Sequence, residues 1–143
     1  MAQSTEILPN GLQLLQDDRF FKLGQDSVLL SAFAKPRRNA KLLDLGCGTG
    51  TLALLVWRPD LKITGLELQD GPLDMFRQSI TANELENVTA LQGDLRQMRT
   101  LLPHGSMDYV ICNPPYFDRN AGANAPTAEK RTARQDATCS VEE

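Results

Sequence analysis

The chain has 143 residues, enough for one domain with its own hydrophobic core. Hydrophobic residues make up 41% and charged residues 23%, a globular composition, and no apolar run reaches the length of a membrane span. The net charge of −3 argues against a surface dominated by nucleic-acid electrostatics, although it leaves room for a local basic patch.

The N-terminus lacks a basic segment followed by an apolar one, so no secretory signal is expected. The three cysteines, Cys47, Cys112 and Cys139, have neither metal-ligand spacing nor the even count of a disulfide framework. Both features suggest a reducing, cytoplasmic setting and no metal. His104 is the sole histidine and stands in a loop-like Leu-Pro-His-Gly, so no triad or metal cluster can be built on it.

In chain order, residues 10–23 suggest two short strands about a turn at Gln16-Asp17-Asp18-Arg19, with Asn10-Gly11 as a second turn signal. A helix over 28–34 follows, with Asp26 or Ser27 as its cap and Pro36 as its stop. From Lys41 the pattern becomes strand–helix alternation. Strands are expected over 41–46, 61–68, 88–95 and 107–113, and helices over 51–57 and 70–85, with a short polar helix before the last strand. Strands separated by helices imply an α/β fold with a mostly parallel sheet and right-handed crossovers. Residues 1–40 then form an N-terminal hairpin-and-helix extension and residues 41–143 the main unit.

The chemically informative residues sit at strand ends, where open α/β sheets bind ligands. Asp44-Leu-Gly-Cys-Gly-Thr-Gly50 is a glycine-rich turn between strand and helix. Gly46 and Gly48 permit positive φ and close approach of a ligand, and Gly50 permits close strand–helix packing. The spacing is neither a dinucleotide fingerprint nor a phosphate loop. Glu67 ends the next strand, where a carboxylate can accept from both hydroxyls of a ribose. Asp94 ends the third and could accept from an adenine amino group. Each has a plainer alternative: a tight turn without ligand, a solvated acid, and an N-cap for the following helix. Taken together, the three strand ends describe a site for an adenosine with a charged tail.

The segments DLGCGTG, GLEL and GDL resemble the class I S-adenosylmethionine-dependent methyltransferases, whose fold is Rossmann-like with helices on both faces of the sheet. The resemblance implies S-adenosylmethionine as cofactor. It places Asp44, Gly46 and Gly48 against its methionine part, Glu67 on the ribose, Asp94 on the adenine amine, and Leu68 and Leu95 beside the adenine ring.

The fourth strand delivers Asn113-Pro114-Pro115-Tyr116. An exocyclic amine is a poor nucleophile because its lone pair is delocalised into the ring. The Asn113 side-chain carbonyl and the Pro114 backbone carbonyl are two acceptors that could draw the nitrogen towards sp³ and free that pair, without a strong base at the outset. The prolines stiffen the backbone and end the ladder. Tyr116 offers an aromatic surface on which a planar base can stack. The plainer alternative is a strand stopped by a rigid Pro-Pro loop. This tetrapeptide resembles the fourth motif of amino-methyltransferases acting on adenine N6, guanine N2, cytosine N4 or a protein glutamine amide.

The N-terminal segment and the tail KRTARQDATCSVEE resemble the bacterial family that methylates adenine N6 in the anticodon loop of valine tRNA. Gln135 and Asp136 depart from that family's usual His-Glu. The resemblance implies a tRNA partner, no membrane, and substrate contacts by Asn113, Pro115, Tyr116, Arg131 and Arg134. Residues 119–127 read as a mobile loop over substrate. Only four of the family's seven strands can be counted, so the expected sheet is incomplete at its C-terminal side, with self-association or the tail covering the exposed edge. A second reading of the same chain is a shortened, non-catalytic module that binds the cofactor or a partner. Guanine N2 of rRNA and protein glutamine are the remaining substrate alternatives.

Overall fold

The computed structural model describes residues 2–20 and 22–114. Two strands, β1 (Gln3–Ile7) and β2 (Gln13–Asp17), form an antiparallel hairpin, followed by helix α1 (Gln25–Phe33). The alternating part is β3 (Lys41–Leu45), α2 (Thr51–Leu55), β4 (Lys62–Glu67), α3 (Asp70–Ala82) and β5 (Val88–Gln92). A 3-10 turn (Leu95–Gln97) then leads into α4 (Met98–Leu101) and β6 (Tyr109–Cys112). The last four strands form one parallel sheet in the order β5-β4-β3-β6. The architecture is therefore the Rossmann-like α/β fold expected from the alternation. Among the described residues no helix is long and apolar enough to cross a membrane.

Several boundaries differ from the sequence expectation. The hairpin turns at Asn10-Gly11, and Gln16 and Asp17 belong to β2. Gly11 adopts φ +86°, which few other residues tolerate, and Asn10 fixes the turn by accepting from Leu12 N and donating to Leu54 O at 2.8 Å. Helix α1 begins at Gln25 with Gly24 in the capping position and no side-chain cap; Asp26 and Ser27 lie inside its first turn. Helix α3 stops at Ala82 instead of running to Leu85. Glu84 takes φ +53°, Leu85 N donates to Ile80 O and Glu84 N to Thr81 O, which closes the helix end with a non-glycine residue in the left-handed region. Helix α2 ends at Leu55, and Trp57 beyond it packs on the core while its Nε1 donates to Asn87 Oδ1 at 2.9 Å.

The core lies between the sheet and helices α2 and α3. Pro72, Leu73, Met75, Phe76 and Ser79 form the buried stripe of α3, at helical spacing. Phe76 is fully buried, and its ring fills the space at two glycines. A Cβ on Gly50 would stand 2.0 Å from the ring, and one on Gly65 of β4 would stand 2.5 Å from it. Cys47 packs at the same place as a small apolar group. On the opposite face, Leu101 of α4 closes over Gly93 beside Leu66. Leu8 and Leu14 of the hairpin belong to the same buried cluster as Leu42, Ile63 and Phe76.

Gly65→Ala overpacks this contact, because the Phe76 ring is enclosed and cannot swing away. A loss of about 1–3 kcal/mol is expected in urea unfolding, partly recovered by adding Phe76→Leu.

Candidate functional site

The register of the sheet brings four strand ends into line. Leu45 pairs with both Leu66 and Cys112, and Glu67 pairs with Gln92. The glycine turn, the residues after Glu67, Asp94 and Asn113 therefore share one rim. The chain runs outward from β3 through β4 to β5, then returns to β6 on the other side of β3. The rim between β3 and β6 is thus a topological switch point, where open sheets leave a crevice.

The glycine turn is built by three positive φ angles, +70° at Gly46, +57° at Gly48 and +86° at Gly50. The first two do different work from the third. No atom lies within 4 Å of where a Cβ would stand on Gly46 or Gly48, so the backbone there faces open space. Gly50 is closed by Phe76 and starts α2.

Glu67 ties this turn to the next. Its Oε1 accepts from Gly48 N at 2.9 Å and its Oε2 accepts from Gln69 N at 2.8 Å. The carboxyl is half-buried, and burial raises its pKa despite those hydrogen bonds. Asp44 lies deeper, 2% exposed, with Oδ2 accepting from Ala53 N at 3.1 Å in α2. Burial is the main cause that pushes Asp44 up to about 7; the Ala53 hydrogen bond opposes it and the neighbouring Glu67 charge adds to it. Two acids under one glycine turn, each disfavoured as an anion, make a site that gains from a cationic ligand.

Asp94 caps the 3-10 turn by accepting from Arg96 N at 2.9 Å, the plainer alternative the sequence allowed. Both of its oxygens also accept from the Arg96 side chain, with Nη2 at 2.6 Å, and these hydrogen bonds lower its pKa. The carboxylate is partly buried on the rim. Leu68 is 42% exposed beside Glu67, and Leu95 is partly buried after Asp94. Asn113 and Pro114 are exposed directly after β6. Pro115, Tyr116, Arg131 and Arg134 lie outside the described residues, as do Cys139 and the segment 119–127.

Two partners of the site had no sequence signal, one because it joins residues distant in the chain and the other because it needs a local turn to form. Gln92 Nε2 donates to Leu68 O at 3.3 Å and to Asp70 Oδ1, pinning the turn after Glu67 from β5. Arg96 grips Asp94 through a pairing visible only once the 3-10 turn is formed.

The acids set the pH dependence of stability. A carboxyl whose folded pKa lies above its ordinary 3.8 favours folding while protonated, so its contribution is lost as pH rises from about 4 through about 7. Asp17, Asp60, Asp94 and Asp108 are all shifted downward, and their contributions change only in more acid solution. The urea midpoint of the ligand-free chain is therefore expected to fall between pH 5 and pH 8. Asp44→Asn should flatten that slope, since an amide oxygen can still accept from Ala53 N.

The sequence matches the methyltransferase small domain family over residues 24–135. It is 34% identical over 105 residues, 72% of this chain and 44% of the relative, to a tRNA1(Val) (adenine(37)-N6)-methyltransferase of Pseudoalteromonas translucida. It is 31% identical over 118 residues, 79% of this chain and 48% of the relative, to a protein of the same name from Photobacterium profundum. The chain spans about half the length of the curated relatives it matches. Its fold is similar to that of Pyrococcus abyssi tRNA (uracil-54, C5)-methyltransferase in complex with S-adenosyl-L-homocysteine, with a TM-score of 0.62, 18% identity, and coverage of 79% of this chain and 28% of that one. TrmN from Thermus thermophilus gives a TM-score of 0.54 at 24% identity, covering 63% of this chain and 27% of that one. With the family matched over most of its length and the glycine turn and strand-end acids in place, the chain belongs to the methyltransferase small domain family, within the class I S-adenosylmethionine-dependent methyltransferases.

Proposed function

We propose that this protein transfers a methyl group from S-adenosylmethionine to an exocyclic amine, with adenine N6 of a tRNA as the favoured substrate. The observation that carries the reading is the place of Asn113-Pro114: directly after β6, next to the open glycine turn of β3, at the switch point of the sheet. The relatives named for tRNA1(Val) adenine-N6 methylation support the choice of substrate. The cytoplasm is the compartment this substrate implies.

In this reading the open backbone at Gly46 and Gly48 receives the methionine end, with Asp44 beneath it as an acid whose anion a cationic ligand would favour. Glu67 accepts from the ribose hydroxyls with the lone pairs that Gly48 N and Gln69 N leave free. Asp94 accepts from the adenine amine, and Leu68 and Leu95 flank the ring. The bound cofactor supplies an electrophilic methyl group on a sulfonium. Asn113 Oδ1 and the Pro114 carbonyl accept from the two N–H groups of the substrate amine, which frees the nitrogen lone pair. The bond from nitrogen to the methyl carbon forms as the carbon–sulfur bond breaks, and the extra proton then leaves the nitrogen for solvent. Pro115 and Tyr116 hold the target base, and Arg131 and Arg134 contact RNA phosphates.

Radiolabelled methyl transfer to a tRNA transcript, followed by nucleoside mass spectrometry, tests this. N6-methyladenosine is the expected product, and Asn113→Ala should lower its formation by about 100-fold or more, as expected for loss of a preorganised polar contact in the transition state. Label appearing on guanine or on protein glutamine would replace the substrate. Transfer unaffected by Asn113→Ala would overturn the mechanism.

A further inference from the structure

The N-terminal hairpin reaches the cofactor rim by a route that none of the family motifs covers. Strand β2 runs along α3 in the opposite direction. Gln13 N donates to Asn83 Oδ1 at 2.8 Å, Asn83 Nδ2 returns a bond to Gln13 O at 2.7 Å, and Leu15 N donates to Ser79 Oγ at 2.9 Å. Rising numbers on β2 meet falling numbers on α3, so the strand leads towards the helix start, where the strand ends of the sheet lie.

There the chain makes a stiff corner. Asp17 is 1% exposed and accepts from Arg19 N at 2.9 Å, Nε at 3.0 Å and Nη2 at 2.8 Å. The guanidinium lies 5.1 Å from the centroid of the Phe20 ring. Phe20 is itself 3% exposed, and its Cζ stands 2.5 Å from where a Cβ on Gly71 would be. Gly71 is the second residue of α3, shortly after Glu67 and Gln69. The glycine is needed here for closeness alone, because the ring occupies the side-chain position.

This contact bears on Glu67. One Glu67 oxygen is oriented by Gln69 N, at the start of the turn that Gly71 continues. Gln92 holds that turn from the β5 side through Leu68 O and Asp70 Oδ1. Phe20 holds it from the hairpin side. We propose that Phe20, seated on Gly71 and braced by Arg19 and Asp17, is a positioning residue for the nucleoside end of the cofactor site, acting through the orientation of Glu67. The proposal rests on the S-adenosylmethionine reading above. It makes the N-terminal hairpin a working part of the cofactor site.

The test is calorimetric titration of the wild-type chain, Phe20→Ala and Gly71→Ala with S-adenosylhomocysteine, each alone and with Glu67→Ala. Titrations are run where circular dichroism shows every variant folded. Gly71→Ala keeps the aromatic ring and merely displaces it, so it decides the matter if Phe20→Ala fails to fold. Each single variant is expected to raise Kd by about tenfold. In the Glu67→Ala background the same changes should add less than about twofold, because the residue they act through is gone. An unchanged Kd alongside a lowered melting temperature would show a purely structural contact and overturn the proposal. So would a tenfold effect that persists without Glu67. Absence of binding by the folded wild-type chain would overturn the cofactor reading and this proposal together, which separates the two failures.

Discussion

Phe76 occupies the volume that side chains on Gly50 and Gly65 would need, and much of the site follows from that contact. Seating the ring there presses α3 against β4 and against the start of α2. Cys47 completes the pocket as a small apolar group. The glycine turn is thereby held from below by packing while Gly46 and Gly48 stay open above. A site that must admit a ligand to its backbone needs this division, with one glycine spent on closeness and two on space.

On that packed base the charges fall into two groups. At the β3 and β4 ends, Asp44 and Glu67 are withdrawn from water, held by backbone N–H groups, and costly to ionise. Several other described acids pair with arginines or lysines at or near the surface, as in Arg58–Asp60, Lys22–Asp18 and Arg37–Asp108. Exposed pairs of that kind contribute little to stability. Asp44 and Glu67 differ because burial shifts them upward, and perturbed acids in a crevice are candidates for function. Glu67 adds a mechanical role, since a single carboxylate fixes the glycine turn and the turn into α3.

Much of this was readable in the sequence, and the failures have physical causes. The strand-end acids stand out because apolar runs stop at them, so Asp44, Glu67 and Asp94 could be placed on one rim before any coordinates. The hairpin turn is hard to place from sequence because Gln16–Arg19 is as polar as a turn, while the deciding feature is the left-handed backbone that Gly11 permits. Helix α3 read as longer because its end carries no glycine, and Glu84 takes the left-handed position in its place. The grip of Arg96 on Asp94 depends on a 3-10 turn whose bonds local composition does not reveal. The contacts of Phe20 with Gly71 and of Asp44 with Ala53 N are tertiary, and no periodicity encodes them.

The central claim is that the rim at Gly46, Gly48 and Glu67 binds the adenosine of a methyl donor. Calorimetric titration of the purified chain with S-adenosylhomocysteine, beside Glu67→Ala, tests it most directly. Saturable binding at one site per chain is expected, weakened about tenfold or more when the carboxylate is removed, in line with loss of charge-assisted hydrogen bonds. A folded chain that takes up no S-adenosylhomocysteine, or that binds it equally well without Glu67, would contradict the account.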